Sequence, residues 1–501
     1  MKILFAKIFL VFLLSGQFLP VWPQPQAADK SFLLRPEWEH ASLGYLIKEM
    51  ATGRVVSSYQ PDRQLTPASV LKVLTTATAL EILGEEYKYP TTLSYDGAIQ
   101  DSVLQGNIYI KGHGDPTLGS SYFAPESKDF LPLWIKAIQG LGIKEIKGGI
   151  IADESIFDTE GVSMKWVRED LGSYYGAGSY GLNLFDNRFD LYIKSGAPGT
   201  RPQVLRTSPQ IELSLHNYLR AQSVKSDSSY MVGMPFSTER FLYGVVPAYQ
   251  SQYRLRGDIP EPALFLAEYL HRQLQERGIR ITRKPSCYRQ FMERGNWNPG
   301  ERTEIITTYS PPLKKIIEKT NHVSHNLFAD ALLKTLGLRY QPKRNEVISS
   351  FGRGIQIVKD FWKKKGVDVS EITIYDGSGL APANKVTAHF ITDVLTYMAT
   401  KSTHVQVFRN SLPQAGLEGS VRNFLKDTSL SGKAWLKSGS MSGVRCYAGY
   451  IQKNGKWYSV VLLANNFSGS TWTINRCLEK LLLSWCLNES RKSYRLHKKA
   501  S

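Results

Sequence analysis

Hydrophobic and polar positions divide the chain into three textures. Gly44 to Tyr59 reads as a β-hairpin, with Tyr45-Leu46-Ile47 and Arg54-Val55-Val56 flanking a turn at Thr52-Gly53. A short loop, Gln60 to Pro67, follows. Apolar residues then fall at Val70, Leu71, Leu74, Ala77 and Leu80, the spacing of one helical face, and Gly84 ends the run. From about Tyr95 to Pro260 short β-like runs, such as Gly106-Asn107-Ile108-Tyr109-Ile110 and Gly148-Gly149-Ile150-Ile151, alternate with turns. Gly114-Asp115-Pro116-Thr117 and Tyr174-Tyr175-Gly176-Ala177-Gly178 are two of those turns. Helical periodicity returns over Pro262 to Arg277, Leu313 to Leu336 and Arg344 to Lys365. Ile372-Thr373-Ile374-Tyr375 reads as a strand before the turn Asp376-Gly377-Ser378-Gly379. Ala434 to Lys437, Cys446 to Ile451 and Trp457 to Ala464 read as strands, and Trp472 to Leu487 as a closing helix.

A hairpin at one end, three strands at the other and helices between them predict an α/β (α+β) fold whose sheet is made from both chain ends. The expected organisation is a discontinuous main domain, 29–95 and 260–487, interrupted by a β-rich insertion of one or two subdomains at 96–259. No internal repeat is found.

The ends add targeting information. Lys2 and Lys7 precede an almost wholly apolar run from Ile8 to Leu19; Pro23, Pro25, Ala27 and Ala28 follow. That is the pattern of a secretory signal peptide over 1–28, and the run is short for a membrane span, the alternative. Four cysteines then belong to an oxidising compartment. Cys477 and Cys486 share the closing helix about 13 Å apart, too far to bridge, so buried thiols are expected. The formal charge is +18. An exported protein meets little nucleic acid, so an anionic wall polymer or membrane surface is the partner such a surface suits. The densest basic run, within 488–501, reads as a solvated tail or a membrane-docking segment. No C-x-x-C or H-E-x-x-H pattern occurs, so no metal is expected.

Three short polar motifs remain. Ser69-Val70-Leu71-Lys72 opens the first helix. A serine hydroxyl is a weak nucleophile that needs a base, and Lys72 lies one turn away on the same face. Burial or a neighbouring positive charge lowers the pKa of an amine enough for that task. Alone, the pattern heavily favours a helix cap over a nucleophile. Ser324-His325-Asn326 interrupts a helix that resumes at Leu327, and Lys437-Ser438-Gly439-Ser440 follows a strand-like run. Each taken singly fits a turn.

In this order, at a helix start, an interhelical turn and a strand, they resemble the S-x-x-K, S-x-N and K-[ST]-G set of penicillin-recognising enzymes. Ser69 and Ser324 are 255 positions apart, more than a compact β-lactamase needs. That gap resembles the class C low-molecular-mass penicillin-binding proteins, the D-alanyl-D-alanine carboxypeptidase/endopeptidase family. Gly114 to Leu118, Tyr175-Gly176-Ala177 with Leu182-Asn183, Asp376 to Leu380, Ser411 to Gly416 and Lys437 to Gly443 fit it as well.

The resemblance, from about residue 40 to 487, implies a serine β-lactamase/transpeptidase-like catalytic domain acting on peptidoglycan peptides and acylated by β-lactam antibiotics. It implies Ser69 as nucleophile, Lys72 as base and Ser324 as proton relay. Asn326 would hold substrate or Lys72. Lys437 and Ser438 would receive the terminal carboxylate, beside Gly439. The N–H groups of Ser69 and Ser440 would form the oxyanion hole. No cofactor is implied, and the expected location is periplasmic or extracytoplasmic. The sequence departs from the family in Ser438, where threonine is commoner, and in Ala381-Pro382, where many relatives carry Ser-Arg. Arg445 is the candidate to replace that arginine as reader of an acidic stem residue. A β-lactamase or esterase shares the site, and a wall-binding scaffold keeps the fold without the chemistry. The long gap and the intact motifs disfavour both, and the lack of G-x-S-x-G disfavours an α/β-hydrolase.

Overall fold

The computed structural model describes residues 36–124, 129–298 and 300–500; the expected signal segment lies outside them. Strands β1 (Ser42–Glu49) and β2 (Val55–Tyr59) form the N-terminal hairpin. A single turn, Ala68–Val70, leads into helix α1 (Leu71–Leu83). Helix α2 (Asn326–Gly337) follows much later. Then come β3 (Ala434–Met441), β4 (Val444–Lys453), β5 (Lys456–Asn465) and helix α3 (Thr471–Ala500). The five strands make one antiparallel sheet in the order β2-β1-β5-β4-β3, so both chain ends build it. Both faces are covered. Val461 and Leu463 pack with α1 and α2, while Val460 and Leu462 pack with α3. That explains the unbroken apolar run in β5, since a strand buried on both sides has no polar face.

The sequence suggests one apolar face for α1, but Leu71 to Leu80 are all buried. Its threonines are satisfied internally: Thr76 and Thr78 donate to the carbonyls of Lys72 and Leu74, and Thr75 donates to Gly377. Such bonds let polar letters sit in a fully enclosed helix.

The middle block forms sheets of its own, and among the described residues none of its strands joins the sheet of the chain ends. Pro90–Tyr95 pairs with Thr303–Tyr309, and the same sheet contains Ile108–Gly112 and Ile150–Asp153. Helix Pro262–Gln275 packs Phe265, Leu266 and Leu270 against Ile108, Ile110 and Ile150. The expected boundaries at 96 and 259 therefore cut through a shared core that spans 90–309. An amphipathic helix pattern does not say which sheet the helix covers, and that misplaced the second boundary. A four-stranded sheet of short strands, a two-stranded pair and two three-stranded sheets complete the block. Arg188–Lys194 is the centre of one three-stranded sheet and Glu239–Tyr243 of the other, and Leu191, Leu255, Met231 and Leu242 share their core.

Other expectations change in detail. Ile372 to Tyr375 is no strand, only a bridge between Thr373 and Lys385. Leu313 to Leu336 is two helices, broken after His322. Helix Ala388–Thr400 was not read from the sequence. The basic tail continues α3 as far as Ala500 instead of leaving it. The four cysteines are buried and no disulfide joins them.

Candidate active site

Ser69 sits in the turn that opens α1, half-buried, with Lys72 fully buried one turn on. The Lys72 Nζ makes three contacts: Ser69 Oγ at 2.9 Å, Asn326 Oδ1 at 2.7 Å and the Ser378 carbonyl at 2.6 Å. The last two oxygens can only accept. The Asn326 amide is fixed this way round because its Nδ2 donates to the Tyr175 carbonyl at 2.9 Å. A neutral amine has two hydrogens and one lone pair. Both hydrogens go to the two obligate acceptors, so the lone pair faces the Ser69 hydroxyl. This arrangement can remove the serine proton.

The surroundings bring that neutral form within reach near neutral pH without making it the major one, since the pKa falls only to about 8. Burial lowers the Lys72 pKa, opposed by the carboxylates of Asp330 and Asp376. Asp330 in turn is pushed up, by burial first and then by Asp376. Its Oδ1 accepts from the backbone of Gly377 at 2.8 Å and Ser378 at 2.9 Å, which fixes the carbonyl that Lys72 meets. Asp376 organises the same loop by accepting from Gly379, Ala381 and Asn384, and from Trp166 at 2.8 Å. Gly379 has φ +78°, and a Cβ there would lie 2.0 Å from the Ala68 carbonyl beside Ser69. Only glycine lets this loop approach so closely.

A second cluster stands across the cleft. The Lys437 Nζ donates to Ser324 Oγ at 2.9 Å and to the Ser438 carbonyl at 2.6 Å. Burial, then Lys72 and Arg445, drives its pKa well down. Ser324 adopts φ +59°, a left-handed kink that breaks the helix and turns its hydroxyl to Lys437. Ser438 shares a hydrogen bond with Ser420 at 2.8 Å. Gly439 passes directly against the nucleophile turn, where a Cβ would lie 2.5 Å from the Pro67 carbonyl and 3.0 Å from Ser69 N. Ser440 is exposed farther along β3.

The sequence candidates thus fall into two adjoining networks, Ser69-Lys72-Asn326 and Ser324-Lys437, with Gly439 at the seam. Arg445 does not read the cleft: its Nε donates to Tyr447 at 3.0 Å and to Asn475 at 2.7 Å, on the α3 side of the sheet. His325 stacks on Phe328 at 3.8 Å, and burial, helped by Arg188 against Asp186, lowers its pKa to about 4, so it stays neutral. Sequence reasoning missed Asp330, Asp376 and Ser420. It also missed that the middle block walls the site. Besides Trp166 and Tyr175, the buried Lys334 of α2 donates to the Glu160 carbonyl at 2.8 Å and the Ser179 carbonyl at 2.7 Å.

The model of the D-Ala-D-Ala carboxypeptidase 3 (S13) family matches residues 26–476. The chain belongs to that family. S13 relatives include a D-alanyl-D-alanine carboxypeptidase of Actinomadura sp., 25% identical, with 87% of this chain and 79% of that protein covered. The D-alanyl-D-alanine carboxypeptidase DacB of Haemophilus influenzae is 24% identical, with 91% and 92% covered. The crystal structure of penicillin binding protein 4 (dacB) from the same organism superposes with a TM-score of 0.74 at 22% identity, covering 89% of this chain and 96% of that one. The S13 chain is thus a serine-type D-Ala-D-Ala carboxypeptidase with the mixed α and β fold expected.

Proposed function

We propose that the protein cleaves D-Ala-containing peptidoglycan peptides, as carboxypeptidase and D,D-endopeptidase, through an acyl-enzyme on Ser69. The observation that carries this reading is the Lys72 amine held between Ser69 Oγ and two obligate acceptors. Lys72 takes the Ser69 proton as Oγ attacks the D-Ala carbonyl. The developing oxyanion is received by the N–H groups of Ser69 and Ser440, donors worth about 3 kcal/mol each. Ser324, bonded to Lys437, passes a proton to the departing amine. Water then hydrolyses the ester and restores Ser69. A β-lactam follows the first half and stays attached. Incubation with a labelled penicillin and mapping of the modified peptide tests the reading; label on any residue but Ser69 overturns it.

Lys437 and Ser438 receive the carboxylate that both a terminal D-Ala and a cross-link present. An arriving carboxylate favours the charged form of Lys437 and so opposes the burial that lowers its pKa. Lys437→Ala should therefore lower kcat/KM about tenfold to a hundredfold in both activities, the worth of one charge-assisted hydrogen bond. Undiminished turnover on both substrates would remove Lys437 from substrate binding. Gly439→Ala forces a methyl onto the backbone of Pro67 and Ser69. It should slow penicillin acylation about tenfold or more while costing about 1–3 kcal/mol of stability. A variant that acylates at the wild-type rate would show that β3 is free to shift away.

Action on the wall requires export, which 1–28 provide as a signal peptide, and residues 90–309 act as one inserted module. The net charge of +18 suits contact with anionic wall polymer or membrane.

A further inference from the structure

The module carries a surface that the peptidase reaction does not use. In its three-stranded sheet of Ser214–Asn217, Glu239–Tyr243 and Tyr230–Val232, Leu242 and Met231 point inward to the core. Side chains alternate along a strand, so Phe241, Tyr243 and Tyr230 point outward. Tyr218 follows directly on the first strand. Tyr218 and Tyr243 stack with centroids 5.4 Å apart and planes 11° apart, and Tyr243 and Tyr230 stack at 5.5 Å and 27°. Beside this row His216 stacks on Phe241 at 4.5 Å. Tyr218 and Tyr230 are each 50% exposed. Cross-strand stacking accounts for the pairing of the rings. It does not account for a contiguous aromatic surface left open to solvent, which marks an interaction site.

The surface is joined to the catalytic cleft. Tyr230 lines a hollow of about 130 Å³ at the edge of this sheet, together with the inward-facing Met231 and Leu242 and with Tyr174, Arg254 and Arg256. The Arg256 guanidinium lies 3.9 Å over the Tyr174 ring. Tyr174 meets Tyr175 edge-on at 5.4 Å, and the Tyr175 carbonyl holds Asn326. Tyr174 and Tyr230 thus border one hollow, which sets the edge of the aromatic face beside the active-site wall.

We propose that this face binds the glycan strand of peptidoglycan, and this rests on the peptidoglycan reading above. A stem peptide in the cleft brings its glycan strand with it, and the edge of the face lies beside the cleft wall. A sugar ring offers a face of polarised C–H groups and a rim of hydroxyls. Tyrosine offers the complement, an apolar ring with a polar tip. Three tyrosines and a histidine make up most of the ring surface here. A protein partner would have to satisfy one by one each hydroxyl that it covers, whereas sugar hydroxyls do so as a class.

The test uses glycan strands freed of stem peptides by an amidase. The full-length protein should retain them, and Tyr218→Ser with Tyr230→Ser should weaken that binding about tenfold or more. Labelling by penicillin and hydrolysis of a free D-Ala-D-Ala pentapeptide should stay at wild-type rates, while release of D-Ala from intact sacculi falls. Tyr218→Phe keeps the stack and removes one hydroxyl, so it should weaken binding about twofold to fivefold even where the double variant folds poorly. Wild-type protein that does not retain stripped strands overturns the proposal, as do folded variants that bind as well as wild type. Reduced activity on sacculi with unchanged glycan binding also overturns it and gives the face to a protein partner. Failure of the penicillin and pentapeptide assays in the wild type would instead count against the peptidase reading, since glycan retention is measured without turnover.

Discussion

Ser69→Ala is expected to abolish covalent labelling by penicillin and to lower D-Ala release by about 10⁴-fold or more, while the protein still folds. The size follows from removing the nucleophile itself, since the remaining groups can orient substrate and polarise its carbonyl but cannot form the ester. The fold should survive because the serine does little structural work. Neither the turn Ala68–Val70 nor α1 has a side-chain cap, and Ser69 Oγ bonds only to Lys72 among the contacts found at this turn. The helix is held instead by its burial on every side. The cap alternative predicts a different outcome: a stability loss of about 1 kcal/mol with labelling retained. Intact-protein mass spectrometry after penicillin treatment, paired with a thermal melt, separates them. A mass increase in the variant equal to one penicillin would remove Ser69 as nucleophile.

Much of this site was legible because its chemistry lies in short, local patterns. Ser69 and Lys72 are one helical turn apart, so their contact follows from spacing alone. The sheet of both chain ends was legible because β5 is apolar on both faces and the hairpin turn at Thr52-Gly53 is marked. What stayed hidden depends on contacts between distant segments. Nothing in the run around Trp166 says that its indole meets Asp376, and nothing around Lys334 says that it clamps Glu160 and Ser179. Buried polar groups also mislead. The threonines of α1 look like a solvent face until their bonds to backbone carbonyls are seen. Arg445 looked available for substrate because register decides which face of β4 it occupies, and the strand pairing Ser440 with Arg445 puts it on the α3 side. The aromatic face of the module was hidden for the same reason, since Tyr218, Tyr230 and Tyr243 become neighbours only through strand pairing.

The acylation rate should rise with pH along a limb set by Lys72, and Lys72→Ala should lower that rate by about 10³-fold, within the range for a general base. Only the neutral amine offers a lone pair to Ser69. The rate therefore follows the deprotonated fraction, climbing about tenfold per pH unit below the pKa and levelling above it. Burial places that pKa below the ordinary lysine value, which brings the limb toward neutral pH; Asp330 and Asp376 pull it back up and keep the amine from being neutral throughout. Stopped-flow acylation by a chromogenic penicillin from about pH 6 to about pH 9 reads it directly. A flat profile over that range would leave Lys72 without a role as base. The neighbouring amine must also be separated, because Lys437 is buried too and its pKa is lowered further. The two amines repel each other when both are charged, and the repulsion acts on each. The limb should therefore persist in Lys437→Ala, moved toward higher pH and with a lower plateau. If the pH dependence disappears in Lys437→Ala and survives in Lys72→Ala, the titrating base is Lys437, acting through Ser324.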